Sequence, residues 1–233
     1  MSKNLIIAID GPAGSGKSTT AKIVAQKLGY VYIDTGAMYR AITFLVIRAN
    51  ILGKEKEIIE LAEACKIDLD FINGMTDIRV NDENLTDKIR TVDVNKNVSD
   101  VSKIEGVRKV LVKKQREIGA SGAGIVMEGR DITTVVFPDA DVKIFLTATL
   151  DERAVRRAKE YAESGNEIPV KNIRENLHRR DTIDTNRKIS PLRQVEDAVV
   201  VDTSYVTIDE QVKMILNEAI KKANELGITI NIN

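Results

Sequence analysis

The stretch GPAGSGKST, Gly11–Thr19, constrains this chain more than any other. It satisfies G-x-x-x-x-G-K-[ST], and it stands between an apolar run, Leu5–Asp10, and a helically spaced segment, Lys17–Leu28. Gly11, Gly14 and Gly16 let the backbone curl until several N–H groups face one anion, and the following helix aims its N-terminal dipole at the same point. Lys17 can then reach the β- and γ-phosphates as a point charge, and Ser18 can offer its hydroxyl to Mg²⁺. A tight turn alone would not need Gly-Lys-Ser together with three glycines. The expected nucleoside triphosphate loop is therefore Gly11, Pro12, Ala13, Gly14, Ser15, Gly16, Lys17, Ser18 and Thr19. The pattern leaves the fate of the γ-phosphate open, because GTPases, motor ATPases and small-molecule kinases share it.

Periodicity fills in the rest of an α/β fold. Leu5–Asp10 is a continuous apolar strand of the kind buried on both faces of a parallel sheet. Further core strands are expected at Val31–Asp34, Ile125–Glu128, Val142–Thr147 and Ala198–Asp202. Helices are expected at Ala37–Asn50, Glu55–Ala64, Val92–Val101, Ile104–Ile118, Asp151–Ala162 and Ile173–Asp184, with a closing helix at Ile208–Leu226 stopped by Gly227. The segment IDLDFINGMTDIRVN breaks this alternation. Its apolar and polar residues alternate on both sides of Asn73-Gly74, the strongest short hairpin signal. A second turn near Asp82-Glu83 would return a third short strand at Asn84–Thr86, so an antiparallel subdomain is inserted into the main fold. SGAG, Ser121–Gly124, reads as a turn, and the final ITININ as an edge strand or a frayed tail.

Composition narrows the function classes. The 35 basic and 35 acidic residues cancel, so there is no electrostatic footprint for nucleic acid. LIIAI is far shorter than the roughly 20 apolar residues a membrane span needs, and too short for a signal peptide. A cytoplasmic protein with no membrane partner is expected. Cys65, the sole cysteine, can form no intrachain disulfide and reads as a packing residue. His178, the sole histidine, has no ligand set near it and reads as a surface residue.

A second substrate carrying phosphate would need its own cations opposite the donor, and arginine grips phosphate bidentately. Arg40 follows the second strand, and Arg130 and Asp131 follow the strand at Ile125–Glu128. All three therefore fall at the carboxyl edge of the sheet, where ligands bind in such folds. In RRDTIDTNR, Arg180 and Asp184 are four apart on one helix face, with Arg187 just beyond. Any one of these arginines alone would be read as a solvated ion pair. Their shared placement argues for a site.

The motifs GPAGSGKST, DTGAMYR, GVRKVLVKKQR, EGRDITTVVFPDADVKIFL and RRDTIDTNRKISPL, in this order, resemble those of the bacterial cytidylate kinases over nearly the whole chain. The resemblance implies a P-loop nucleoside monophosphate kinase fold, with a five-stranded parallel core, a monophosphate-binding arm enlarged by the β insertion, and a helical lid. In this single domain, the core would be 1–34, 91–150 and 188–233, the arm about 35–90, the lid about 151–170, and a substrate-contacting helix 171–187. The implied reaction moves the γ-phosphate of ATP, bound with Mg²⁺, to CMP or dCMP, in an enzyme expected to be monomeric. Carried over by position, Arg40, Arg130 and Arg187 would contact the acceptor phosphate, and Thr35, Tyr39, Arg180 and Asp184 would line the nucleotide. Ser99, Arg108 and Asp131 would read the cytosine edge. A carboxylate can accept from the N4 amino group while an arginine donates to the ring acceptors. Some members of the family have Ser where this chain has Thr35, which leaves the balance of ribose and deoxyribose open.

Arg153, Arg156 and Arg157 begin the expected lid. At least one of them would be a solvated helix residue; the others would bring positive charge to the transferring phosphoryl group. With Lys17, Arg130 and Arg187, the residues Arg153 and Arg157 form the expected catalytic set. Two rivals stay open: a monophosphate kinase of another base preference, such as UMP, and a regulatory protein that only senses or hydrolyses ATP.

Overall fold

The computed structural model describes residues 4–72, 75–120, 122–163 and 165–232. Strand β1 (Ile6–Asp10) is followed by the glycine loop and helix α1 (Lys17–Leu28), then β2 (Val31–Asp34), α2 (Thr35–Arg48) and α3 (Glu55–Ala64). A small antiparallel sheet comes next, from β3 (Ile67–Ile72), β4 (Met75–Val80) and β5 (Glu83–Asn84). The chain continues through α4 (Val92–Ser102), α5 (Glu105–Gly119), β6 (Ile125–Gly129), a π-helical turn (Ile132–Val136) and β7 (Val142–Thr147). Helices α6 (Leu150–Glu163) and α7 (Val170–Asn186) precede β8 (Val199–Asp202) and α8 (Ile208–Leu226).

The main sheet is parallel, with order β2-β6-β1-β7-β8. Strand β1 is its centre, and the chain order reverses there. Such a switch point opens a crevice outside the strands' carboxyl ends, and the glycine loop leaves β1 into it. The period of two divides the core. Ile7 and Ile9 pack with Val24 of α1 and Ile215 of α8 on one face, while Ala8 packs with Met127 of β6 and Val112 of α5 on the other. Each fully buried isoleucine contributes about 1.5–3 kcal/mol. A separate apolar cluster joins α2, α3 and the small sheet through Ile42, Ile58 and Ile78.

The expected five core strands are all present, and the helices match within a few residues. The turn of the insertion is one residue earlier than expected. Asn81 and Asp82 both take positive φ, 50° and 67°, and Val80 pairs with Glu83 across them. Two consecutive left-handed residues make the tight turn whose twist suits a hairpin. Strand β5 is accordingly shorter than expected, Glu83–Asn84. Asn73, Gly74 and Ser121 lie outside the described residues. Residues 228–232 form no strand, yet Ile228 and Ile230 pack against the core. Cys65 is buried just past α3, and His178 is exposed on α7. The capping box of α8, in which Thr207 and Glu210 each bond the other's backbone N–H, satisfies two orphan donors and is worth about 1 kcal/mol.

Candidate active site

A cavity of about 580 Å³ opens over the carboxyl ends of β1, β2 and β6. Ala13, Gly14, Gly16, Lys17, Ser18 and Thr19 line one end; Gly11, Pro12 and Ser15 lie behind them. Gly11 has φ 153°, and a Cβ there would stand 1.9 Å from the Leu146 carbonyl oxygen. Lys17 donates to the Pro12 carbonyl at 2.8 Å. Burial, helped by the charge of Arg130, pushes its ammonium down to about 7. An ammonium so destabilised is a strong receptor for an anion.

Several residues of this end were not expected. Glu128 faces α1 because it lies two residues beyond Val126, on the same face of β6. Its carboxylate accepts from the Ser18 hydroxyl and from the Tyr32 hydroxyl, the latter at 3.1 Å. Asp10, fully buried, accepts from Ile132 N–H at 3.0 Å, Thr133 N–H at 2.8 Å and the Thr133 hydroxyl at 2.7 Å. The residue that ends β1 thus fixes the π-helical turn directly after Arg130 and Asp131. Burial raises its carboxyl pKa against those hydrogen bonds. A charged residue closing an apolar strand is the only signal for Asp10, and no local pattern points to its partner. Val206, Thr207, Ile208 and Gln211 also line the cavity beside the glycine loop. Gln211 ties this wall to α1, accepting from Thr20 at 2.8 Å and donating to the Val206 carbonyl at 3.2 Å.

The opposite end gathers all ten residues expected for the acceptor. Thr35, Tyr39 and Arg40 come from the first turns of α2, Ser99 from α4, Arg108 from α5, Arg130 and Asp131 from the segment after β6, and Arg180, Asp184 and Arg187 from α7 and its end. Arg108 and Asp131, each 2 % exposed, pair at 2.5 Å, and the guanidinium also donates to the Ser102 carbonyl at 3.0 Å. The guanidinium lies 5.1 Å from the centre of the Tyr39 ring, a cation–π contact. Arg130 donates to Asp184 at 3.0 Å, and Arg187 stands 3.6 Å from the other oxygen of the same carboxylate. Arg40 stands 3.5 Å from Asp34, which also holds Arg90 at 3.3 Å and caps α2 through Ala37 N–H. Thr35 donates its hydroxyl proton to the Glu128 carbonyl at 2.8 Å, so towards a ligand it is an acceptor.

Among the described residues, Arg108 Nε, Arg180 Nε and Arg187 Nη2 are buried without a hydrogen-bond partner, and Arg40 Nη1 has only its 3.5 Å ion pair with Asp34. Each such atom costs about 1–3 kcal/mol until something pairs with it. Burial beside Arg130 also lowers the pKa of Arg180. So many unmatched donors around one cavity call for an anionic, polar ligand.

The three arginines expected in the lid separate. Arg156 and Arg157 line the cavity. Arg153, expected among the catalytic set, does not. It donates to the Ala148 and Ala13 carbonyls at 3.0 Å each and pairs with Asp181 at 2.8 Å. It is 6 % exposed and braces the glycine loop from behind. The reason is position. Arg153 falls in the first turn of α6, against the loop, while Arg156 and Arg157 follow a turn later at the cavity. Arg156 bonds Thr203 through both nitrogens, at 2.9 and 2.5 Å, and Thr203 donates to the Ser15 carbonyl at 3.1 Å.

Residues 7–221 match the cytidylate kinase family. The chain belongs to that family. It is 48% identical to a cytidylate kinase of Bacillus velezensis over 93% of this chain and 96% of that one. It is 50% identical to a cytidylate kinase of Desulforamulus reducens over 93% of this chain and 97% of that one. In fold it is similar to the crystal structure of an uncharacterized protein from Eubacterium ventriosum, with TM-score 0.52, 12% identity, and coverage of 93% of this chain and 99% of the other. The parallel sheet, the separate antiparallel sheet and the family together make this a P-loop nucleoside monophosphate kinase.

Proposed function

We propose that this enzyme transfers the γ-phosphate of ATP to CMP or dCMP, giving ADP and CDP or dCDP. The observation that carries the reading is the buried Arg108–Asp131 pair in the wall of the same cavity as the glycine loop. A base with an exocyclic amino group next to a ring acceptor matches that pair. Uracil would turn a carbonyl oxygen towards Asp131 and leave two acceptors face to face, at about 1–3 kcal/mol. Ser99 completes the base subsite. Arg40, Arg130 and Arg187 grip the acceptor phosphate, while Thr35, Tyr39, Arg180 and Asp184 line the sugar and base.

The glycine loop and Lys17 hold the donor phosphates. Val206, Thr207, Ile208 and Arg156 bound the space left for the donor base. The Ser18 hydroxyl and the Glu128 carboxylate make an oxygen donor set of the kind Mg²⁺ takes while keeping several waters. Bound there with ATP, the ion would neutralise charge on the β- and γ-phosphates. The acceptor is already an anionic phosphate, so the chain need supply no general base. Its residues bring two anions into line and surround the moving phosphoryl group with Lys17, Arg130, Arg157 and Arg187. Arg153 is a positioning residue of the loop. The division into core, arm at about 35–90 and lid at about 151–170 suits this chemistry, because closure would exclude water from ATP. In this reading the enzyme works as a cytoplasmic monomer, without nucleic acid or membrane. Among the described residues no helix is long and apolar enough to cross a bilayer.

The test is ADP release from ATP and Mg²⁺ with CMP, dCMP, UMP, AMP or GMP supplied one at a time. Turnover confined to CMP and dCMP is expected. Turnover with UMP or AMP would remove the base assignment, and turnover without any acceptor would remove the acceptor site.

A further inference from the structure

Arg157 lies on α6 and reaches α4. Its Nη2 donates to Asn95 Oδ1 at 3.1 Å and its Nη1 to Glu160 at 2.6 Å, with the guanidinium 5.3 Å from the centre of the Tyr161 ring. Asn95 is 4 % exposed, and its Nδ2 donates to the Arg90 carbonyl at 3.1 Å. Only one orientation of the amide satisfies both contacts, since a carbonyl needs a donor and a guanidinium needs an acceptor. One buried neutral side chain therefore joins a backbone position at the arm side of the cavity to a cation of the lid.

The choice of an amide has a physical sense. Arg157 stands in the field of Arg40 and Arg180, whose charged forms it disfavours. Like charges kept together need a tether. Glu160 already pairs with the guanidinium, so a carboxylate in place of Asn95 would add a second, buried counter-charge. An amide holds the guanidinium from α4 without adding one. Asn95 also sits four residues before Ser99 on the same face of α4, so the helix that meets the acceptor base carries the tether. A second contact holds α7, which follows the expected lid, on α4 independently. Arg179 of α7 donates to Asp100 at 2.5 Å and to the Lys96 carbonyl at 3.4 Å. Loss of Asn95 would thus cut the tie of the guanidinium to α4, leaving it to Glu160 and Tyr161 of its own helix, without parting α7 from α4.

We propose that Asn95 is a positioning residue for phosphoryl transfer, holding the Arg157 guanidinium at the cavity wall from the acceptor side. The proposal rests on the kinase reading above. The test is steady-state kinetics of Asn95→Ala, Arg157→Ala and the double variant, with thermal melts as a check on folding. Asn95→Ala should lower kcat about tenfold and leave KM for ATP and CMP within about threefold, as expected for an interaction made in the transition state. In the Arg157→Ala background the same change should lower kcat no further, because coupled residues are not additive. If the alanine variant folds poorly, Asn95→Ser is read in the same way. A kcat of Asn95→Ala (or of Asn95→Ser in its place) within about twofold of the parent, or an undiminished loss in the double variant, overturns the proposal. A parent protein inert towards CMP would overturn the kinase reading first, and this proposal with it.

Discussion

The two ends of the cavity are built in different ways. The end proposed for the donor is one short stretch of chain, Gly11–Thr19, in which the expected anion site is the backbone N–H groups of a glycine loop at the start of α1. The acceptor end has no such stretch. It takes side chains from α2, α4, α5, the segment after β6, and α7, and most are charged, buried and only partly paired. A backbone cradle recognises what all nucleoside triphosphates share. A side-chain site can tell one base from another, and its unmatched donors cost stability while it is empty.

Changes at either end test this contrast. The largest effect belongs to Lys17→Met, expected to lower kcat about 10²–10³-fold with every acceptor, since it removes a fixed positive charge from the transfer itself. A loss seen with CMP but not dCMP would blur the division. Arg130→Ala should lower kcat/KM for CMP about 10²-fold while ATP affinity, read by calorimetry, stays within about twofold. Equal loss of ATP affinity would put Arg130 at the donor end.

Asp131→Asn should narrow the preference for CMP over UMP about tenfold, because an amide can donate to the uracil oxygen. It should also lower the melting temperature, because it leaves the buried Arg108 without its counter-charge. An unchanged CMP/UMP ratio would take Asp131 out of base reading.

The smallest effect is a pH dependence of the donor end. The Lys17 ammonium is depressed to about 7 in the free cavity, and triphosphate favours its charged form. Below about pH 7 both states carry the proton; above it the free protein loses the proton and the complex keeps it. ATP binding at pH 8 should therefore take up a proton, and affinity should weaken by at most about tenfold per pH unit above 7. Calorimetry of ATP binding in two buffers of different ionisation enthalpy reads this directly. Equal heats would mean that Lys17 enters the complex already charged.

Much of the donor end was legible because its information is local. Three glycines, a lysine and a serine at fixed spacing dictate the loop, and the continuous apolar run Leu5–Asp10 marks the strand before it as buried on both faces. The five core strands, the inserted antiparallel sheet and the closing helix followed from the same short-range rules. That the residues expected for the acceptor gather in one cavity was legible only through the family's motifs and their shared position after strands. Which of them meet, and through which atoms, was decided by the tertiary structure. Nothing in the sequence around Asp10 says that its carboxylate fixes the turn at Ile132 and Thr133, 122 and 123 residues away. Nor does the spacing of Arg153, Arg156 and Arg157 say that the first braces the glycine loop while the other two reach the cavity. Hydrogen bonds and ion pairs fall off within a few ångströms, so their partners are set by how the two sheets and the helices pack. Backbone turns and helix faces are set by the nearest few residues, and those the sequence alone determined.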